Sequence, residues 1–173
     1  LLLHRPQPGL ACAQNFMRIL GNDVSFDERE ARLLDLCLVL HAEHGGGNNS
    51  TFACRVLSSA GTDIYSAISA AVGSLKGPKH GGANIKVDQM FEDIKAHVRD
   101  WRDDEEVSAY LEKILRGEAG DGSGLIYGMG HAIYTNSDPR AITLKKYARE
   151  LAEEKGFMDE FELMQRIENR TPD

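Results

Sequence analysis

Apolar residues recur along most of this chain at intervals of three and four residues, which places them on one face of an α-helix. Two such stripes are Val87, Phe91, Ile94, Val98 and Trp101, followed by Val107, Tyr110, Leu111, Ile114 and Leu115. No run of four or more residues alternates apolar and polar positions between turn signals, as a half-buried strand would. The pattern therefore predicts an all-α fold.

Capping residues predict where several helices begin. Ser25 and Glu28 have the spacing of a capping box, which predicts a helix that continues through the apolar run 33–40 toward His41. Because apolar residues occupy nearly every side of that helix, we expect it to be buried. Further helices are predicted over 50–59, over 63–75, after the N-cap and proline pair Asp138-Pro139, and after Asp159.

Glycine and proline interrupt the helical pattern at two places. The segment 76–82 contains Pro78 and three glycines, and the segment 117–130 contains six glycines. Proline lacks a backbone donor and glycine admits unusual backbone angles, so we expect both segments to be loops. One histidine, His80, lies in the first loop, and His131 follows the second.

Composition and charge narrow the class of protein. With 173 residues, 42% of them hydrophobic and 27% charged, the chain can bury a core. A net charge of −7 without a cluster of Lys and Arg argues against a nucleic-acid partner. The longest nearly apolar run, 33–40, is far shorter than the roughly 20 residues of a membrane-spanning helix, and no secretory signal is evident. We therefore expect a cytoplasmic protein with no membrane partner.

The three cysteines, at positions 12, 37 and 54, are odd in number and widely spaced. They lie mostly in apolar stretches, which favours free thiols in a reducing compartment over a disulfide or a metal site. We expect these thiols to be buried.

Four of the six histidines lie beside glycines or at helix ends: His41, His44, His80 and His131. A single such histidine is more often structural or on the surface. Three glycine-flanked ones in a short chain favour a site, because imidazole gains and loses a proton near neutrality. The spacing of His41 and His44 also suits a metal, but no further ligands at metal-binding spacing accompany them, so this interpretation is the weaker one.

Arg140 lies nine residues after His131, just inside the helix that Asp138 and Pro139 begin. Its planar guanidinium could bind a carboxylate, and a solvated arginine in the first helical turn is an equally weighted alternative. A cation at a helix N-terminus opposes the helix dipole, and an anionic ligand would be a reason for its presence.

Three blocks of residues contain these candidates and together resemble the citrate synthase family. They are 41–50, which includes His-Ala-Glu-His-Gly-Gly-Gly-Asn, then 77–84, which reads Gly-Pro-Lys-His-Gly-Gly-Ala-Asn, and 128–140, which runs from Gly-Met-Gly-His to Asp-Pro-Arg. They occur in the family's order and at similar separations, and the resemblance also includes 15–20. The first block is closest to the family's glycine-rich bacterial type. Three blocks together are highly specific.

The resemblance implies a multi-helical citrate synthase-like fold and a role for each candidate residue. His44 would hold oxaloacetate, and His80 would donate a hydrogen bond to the thioester oxygen of acetyl-CoA as its enol forms. His131 would polarise the oxaloacetate carbonyl, and Arg140 would bind one of its carboxylates. The adenine end of coenzyme A would lie against the backbone of Leu125, Ile126, Tyr127, Gly128, Met129 and Gly130. Acetyl-CoA would be a co-substrate, with no tightly bound cofactor and no metal.

The implied reaction is condensation of acetyl-CoA with oxaloacetate to citrate and CoA by a homodimer. Residues 1–80 would belong to the large helical domain and 81–173 to the small one. Two alternatives stay open at this point: a 2-methylcitrate synthase using propionyl-CoA, and a non-catalytic module that binds CoA or a dicarboxylate. Retention of all four candidate side chains argues against the second, because binding alone would not need three imidazoles.

The sequence also departs from the family pattern. Gly45 replaces a common Glu, and Thr135 replaces a common basic residue, which puts one coenzyme A phosphate contact in doubt. The chain begins with Leu1 rather than Met and ends at Asp173, before the block that holds the family's aspartate base and later arginines. We therefore expect a fragment that is inactive by itself, because loss of a general base costs orders of magnitude in rate.

Overall fold

The computed structural model describes residues 5–20, 26–42, 46–77, 79–129 and 138–171. Within these ranges the regular structure consists of α-helices without strands, which confirms the all-α prediction. The helices are α1 (Cys12–Leu20), α2 (Glu28–His41), α3 (Asn49–Ser59), α4 (Ile64–Leu75), α5 (Ala83–His97), α6 (Asp104–Leu115), α7 (Pro139–Lys155) and α8 (Met158–Arg170). No described helix has the length and apolar character needed to cross a membrane.

Short polar side chains begin most of these helices. Asn48, Asp63 and Asp138 are the N-caps of α3, α4 and α7, and each accepts a hydrogen bond from a backbone N–H of its helix. The starts predicted for these three helices are therefore confirmed to within a residue. The capping box predicted for α2 is wrong, because the N-cap is Asp27, which accepts from the backbone N–H groups of residues 29 and 30.

The chain divides into two compact units. Unit 1 consists of Leu1–Glu43 and Asn136–Met158, and unit 2 consists of His44–Thr135 and Asp159–Asp173. This division groups residues by their contacts within the chain and does not follow the boundary predicted after residue 80. The assignment of 1–80 and 81–173 to a large and a small domain stays a prediction.

In unit 1, α2 packs against α1 and α7. The expectation that α2 is buried is wrong. Ala31 is its only buried residue, while Val39 is 64% exposed. Two neighbouring helices cover only part of a helix that is apolar on most sides. The cysteine prediction is confirmed in part: all three thiols are free, but Cys12 is exposed, and Cys37 and Cys54 are only half-buried.

The core of unit 2 is formed by one face each of α5, α6 and α8. Its buried members are Met90, Phe91, Ile94, Val98, Val107, Leu111, Ile114, Leu163 and Ile167. Both predicted stripes are therefore confirmed as core-facing, with Trp101 and Tyr110 packed at the edge of the cluster. Two members of the stripes lie outside this cluster. Val87 is half-buried, and Leu115 is exposed because the second stripe reaches the end of α6 there.

Unit 2 also contains the helix pair α3 and α4. The small side chains of α4 allow close packing, and Ala67 is buried. Seven large apolar side chains of the pair are exposed, namely Phe52, Val56, Ile64, Tyr65, Ile68, Val72 and Leu75. Residues 64–75 contain no charged side chain at all. An uncharged helix with this exposure is typical of a surface that another molecule covers.

A test of the core compares two isoleucines on α5. Ile94 is fully buried, and Ile85 is 62% exposed. Replacing Ile94 by Ala should lower the free energy of unfolding by about 3 kcal/mol, because it leaves a cavity in the core. The same change at Ile85 should alter it by no more than about 0.5 kcal/mol. Urea unfolding followed by circular dichroism measures both, and equal losses would contradict this assignment of the core face.

Candidate functional site

His80 lies in a tight turn that follows α4. The backbone N–H of His80 donates to the carbonyl of Gly77, and that of Gly81 donates to the carbonyl of Leu75, both at 3.0 Å. A Cβ atom on Gly81 would lie 2.3 Å from the Leu75 carbonyl oxygen, so only glycine fits at this position. The prediction of a loop here is confirmed. These backbone hydrogen bonds fix the position of the His80 backbone relative to the end of α4.

The ring of His80 meets the start of α3. Its Nε2 atom lies 2.9 Å from Ser50 Oγ and 3.3 Å from the Ser50 backbone nitrogen. Ser50 is in the first turn of α3, where backbone N–H groups have no partner within the helix. A backbone N–H can only donate, so Nε2 accepts, and the proton of the neutral ring is then on Nδ1. Within the described ranges no residue forms a hydrogen bond with Nδ1, which leaves this N–H able to donate to a ligand.

Asn48 connects the same histidine to the cap of α3. Its Oδ1 atom accepts from the backbone N–H of Thr51 at 2.8 Å and lies 2.9 Å from Ser50 Oγ. The single hydroxyl proton of Ser50 can therefore go either to Asn48 or to His80. The sequence placed Asn48 and Ser50 in the first family block without giving them a role. The available signal was a capping residue two positions before a serine at a predicted helix start.

The other candidate histidines give a mixed result. His44, His131 and Gly130 lie outside the described residues, so their predicted roles stay predictions. His41 is exposed at the end of α2 in unit 1, and its Nδ1 lies 2.7 Å from the Cys37 carbonyl oxygen. Over the described ranges no group of three His, Cys, Asp or Glu side chains is arranged to hold a metal ion.

Arg140 is held by the N-cap of its own helix, α7, in unit 1. Its Nε atom lies 3.0 Å from both carboxylate oxygens of Asp138, and Nη2 lies 2.5 Å from Oδ2. The two side chains are only 24% and 17% exposed. The Asp138 carboxylate offsets the unfavourable position of the cation at the helix N-terminus, so the position of Arg140 is explained without an anionic ligand. Whether Arg140 also binds a substrate carboxylate stays a prediction.

The loop predicted to contact coenzyme A is ordered against α5. Residues 117–129 contain no helix, which confirms the second predicted loop over its described part. The backbone N–H of Tyr127 donates to Met90 Sδ at 3.3 Å. Gly128 has a φ of +82°, and a Cβ atom there would lie only 3.0 Å from a methyl group of Val87. Glycine is thus required both by the backbone angle and by the close approach to α5.

An ion pair fixes the other end of this loop. Lys86 Nζ on α5 lies 2.8 Å from Asp121 Oδ2, and the Tyr127 hydroxyl donates to the same oxygen at 2.8 Å. Asp121 Oδ1 accepts from the backbone N–H of Ser123. The Lys86 ammonium, together with donors from Ser123 and Tyr127, holds the pKa of the Asp121 carboxyl well below its usual range. The same hydrogen bond to Asp121 raises the pKa of Lys86.

A cavity of about 200 Å³ lies beside this loop within unit 2. Its wall includes the loop residues Asp121, Leu125 and Tyr127 and the α5 residues Lys86 and Gln89. The wall is therefore mixed in polarity, with charged side chains that are already paired to each other. Neither Lys86 nor Asp121 was predicted, because a lysine on a helix and an aspartate in a glycine-rich segment are both ordinary surface residues.

Comparison with known proteins gives consistent matches over nearly the whole chain. The family described as "Citrate synthase, C-terminal domain" matches residues 2–173. Citrate synthase from Acidithiobacillus ferridurans is 40% identical over 147 residues, which cover 85% of this chain and 34% of that protein. 2-Methylcitrate synthase 1 from Corynebacterium glutamicum is 38% identical over 153 residues, covering 85% of this chain and 36% of that protein.

A solved structure agrees with these matches. The crystal structure of citrate synthase from Pyrobaculum aerophilum superposes with a TM-score of 0.76 at 31% identity, covering 98% of this chain and 39% of that chain. The chain thus spans about two fifths or less of the length of these relatives.

The contact between Asn48, Ser50 and His80 can be tested with a matched cap. Asn48→Ala and Asp63→Ala each remove an N-cap in unit 2 and should each lower the free energy of unfolding by about 1 kcal/mol. Only Asn48 is connected to His80 through Ser50, so only Asn48→Ala should shift the ring resonances of His80. Long-range ¹H–¹⁵N NMR spectra measure those resonances. Equal shifts in both variants would show that the cap does not hold the ring.

Proposed function

The chain belongs to the citrate synthase family, and on this basis we propose that it forms part of an enzyme that condenses acetyl-CoA with oxaloacetate to give citrate and CoA. The family match extends over residues 2–173. Because the chain spans only 34–39% of the length of the relatives described above, the activity is proposed for a longer protein that contains it, which we call the parent protein.

The single observation that carries this proposal is the contact between Ser50 and His80. With Nε2 accepting from Ser50, the Nδ1–H of His80 can donate to the thioester oxygen of acetyl-CoA. This oxygen gains negative charge when the neighbouring methyl group loses a proton, and a fixed donor at that point stabilises the transition state. The backbone of His80 is fixed by the turn at Gly81 and its ring by the first turn of α3, so the donor needs little reorganisation.

The bond changes follow from the two substrates. A base removes a proton from the acetyl methyl group, and the resulting enol carbon bonds to the ketone carbon of oxaloacetate, whose oxygen becomes a hydroxyl group. Water then cleaves the thioester, which releases CoA and leaves citrate. We propose that His131 donates to the ketone oxygen and that His44 and Arg140 hold oxaloacetate. The bidentate pairing with Asp138 supports the last role, because it holds the guanidinium in one orientation for a planar carboxylate.

Acetyl-CoA enters this scheme as a co-substrate, with neither a metal nor a resident cofactor proposed. Its adenine end is proposed to lie against the backbone of 125–130. Within this segment, α5 contacts Tyr127 and Gly128. The aspartate that acts as base is proposed to belong to the part of the parent protein outside this chain. We therefore propose that the chain by itself does not turn over.

A second candidate function is that of a 2-methylcitrate synthase, and one observation supports it. The C. glutamicum protein of that name is 38% identical to this chain, close to the 40% of the A. ferridurans citrate synthase. The two reactions differ by one methyl group of the acyl chain, and a hydrophobic pocket discriminates such a difference by only about 1–3 kcal/mol. Sequence identity over these residues therefore does not distinguish a citrate synthase from a 2-methylcitrate synthase.

We further propose that the parent protein is a homodimer, with a second copy covering α3 and α4. Tyr65 is 82% exposed and Phe52 is 65% exposed, and α4 contains no charged residue. Depletion of charge together with exposed aromatic side chains is the composition of an interface core. In sedimentation velocity the parent should migrate as a dimer, and Ile68→Asp should shift it toward the monomer because it places a charge within the interface. A parent that is monomeric without this change would refute the dimer.

The reaction is tested by thiol release with oxaloacetate and either acetyl-CoA or propionyl-CoA, measured on the parent protein and on this chain. The parent should release CoA faster from acetyl-CoA, and the chain should release none. In the parent, His80→Ala should lower kcat by roughly 10²–10³, because it removes the proposed donor. His97→Ala, which changes an exposed histidine of α5 outside the site, is the matched control and should leave kcat nearly unchanged.

Each other result of this assay has a definite meaning. A preference for propionyl-CoA would favour the 2-methylcitrate synthase, and no release by the parent with either donor would favour a binding module. Release by this chain would place the base within its own residues.

A further inference from the structure

Three side chains of unit 2 join the glycine-rich loop to the helix that follows His80. They are Lys86 of α5 and Asp121 and Tyr127 of the loop, and we refer to them as the loop clamp. Asp121 Oδ2 accepts hydrogen bonds from Lys86 Nζ and from the Tyr127 hydroxyl, both at 2.8 Å. The Lys86 ammonium also lies 5.9 Å from the centre of the Tyr127 ring. Each member of the clamp thus contacts the other two.

We propose that the loop clamp consists of positioning residues, which fix the loop 125–129 relative to His80 and thereby set the affinity for the acyl-CoA substrate. This inference rests on the proposed function, since it requires that the loop contacts the adenine end of coenzyme A. No member of the clamp is assigned a contact with the reacting atoms.

The geometry of Tyr127 supports positioning over general stabilisation. Its backbone N–H is fixed by Met90 Sδ, and its hydroxyl is fixed at the far end of the ring by Asp121 and by Ser123 Oγ, at 3.0 Å. An ion pair with side chains 42% and 35% exposed contributes little to stability, because water screens it. The clamp therefore contributes little to folding. Because Tyr127 is held both at its backbone and at its hydroxyl, the clamp chiefly affects the position of the loop.

The helix α5 transmits this position to the thioester end of the site. It begins at Ala83, three residues after His80, and Lys86, Val87 and Met90 lie on its first two turns. All three contact the loop. Lys86 pairs with Asp121, Val87 lies close to Gly128, and Met90 Sδ accepts from the backbone N–H of Tyr127. Two turns of helix are rigid, so they fix the distance and orientation between the turn of His80 and the adenine loop. A CoA thioester must meet both at once, and binding of its remote nucleotide end helps to place the acetyl group.

The test measures steady-state kinetics of the parent protein. Asp121→Asn should raise the KM for acetyl-CoA about fivefold, with kcat and the KM for oxaloacetate nearly unchanged, because it weakens only the positioning of one substrate. Tyr127→Phe keeps the ring and removes only the hydroxyl, so it should give a smaller change in the same direction without a folding defect. Lys86→Met combined with Asp121→Asn should be no worse than either change alone, as expected for two partners of one contact.

The matched control is Glu160→Gln. Glu160 pairs with Lys95 at 3.0 Å, and Lys95 is another α5 lysine that lies over an aromatic ring, that of Phe91. The control therefore removes a similar ion pair from the same helix, away from the loop. It should leave the KM for acetyl-CoA unchanged. An equal rise of this KM in Glu160→Gln and in Asp121→Asn would overturn the proposal, since it would show a general effect of α5 ion pairs.

A shortened donor separates positioning from a structural role. Acetyl-phosphopantetheine has the thioester but lacks the adenosine part of CoA, so the clamp should not affect it. The ratio of KM between Asp121→Asn and the unchanged parent should therefore be about five for acetyl-CoA and about one for the shortened donor. A similar ratio for both donors would overturn the proposal.

The clamp can be judged even if the proposed function fails. If the parent releases no CoA from either acyl donor, calorimetric titration with CoA replaces the kinetics. Asp121→Asn should then raise the Kd for CoA while Glu160→Gln should not. In that titration, an unchanged Kd in Asp121→Asn would overturn the clamp. In the kinetic assay, an active parent whose KM for acetyl-CoA is unchanged by Asp121→Asn would overturn the clamp and leave the proposed function standing.

Discussion

Burial of Met90, Phe91 and Ile94 against α6 and α8 fixes the rotation of α5 about its axis, and the proposed site depends on that rotation. Once this face is buried, the direction of every other side chain on the helix is set. Lys86 and Val87 then meet the glycine-rich loop, and the N-terminus of the helix receives the chain directly from the turn of His80. The hydrophobic effect supplies the free energy for this arrangement, and the polar contacts select its details.

Much of the fold was predictable because its determinants are local. The stripes on α5 and α6 and the caps at Asn48, Asp63 and Asp138 depend on residues within a few positions of one another. One error was local, since Asp27 and not Ser25 caps α2. The other arose where the answer depends on distant parts of the chain. Burial of α2 depends on which helices surround it, and the sequence of α2 carries no information on that.

The candidate site also depends on contacts between residues that are distant in sequence, and these contacts were not predicted. His80 and Ser50 were both visible within separate blocks, but their contact joins residues 30 positions apart. Lys86 and Asp121 are 35 positions apart and had no signal, since each alone is an ordinary charged surface residue. The roles of His44 and His131 still rest on family resemblance. Arg140 was recognised as unusual at a helix N-terminus, while its compensation by Asp138 became evident only from the structure.

The hydrogen bond from the Ser50 backbone to His80 has a consequence for observing the site. The first turn of α3 has a distant imidazole as the acceptor for one of its amides, where most helices use a nearby side chain or water. The solvent exchange of that single amide hydrogen is therefore coupled to the position of the ring. Ligand occupancy of this histidine becomes visible in one backbone resonance, without any turnover of substrate.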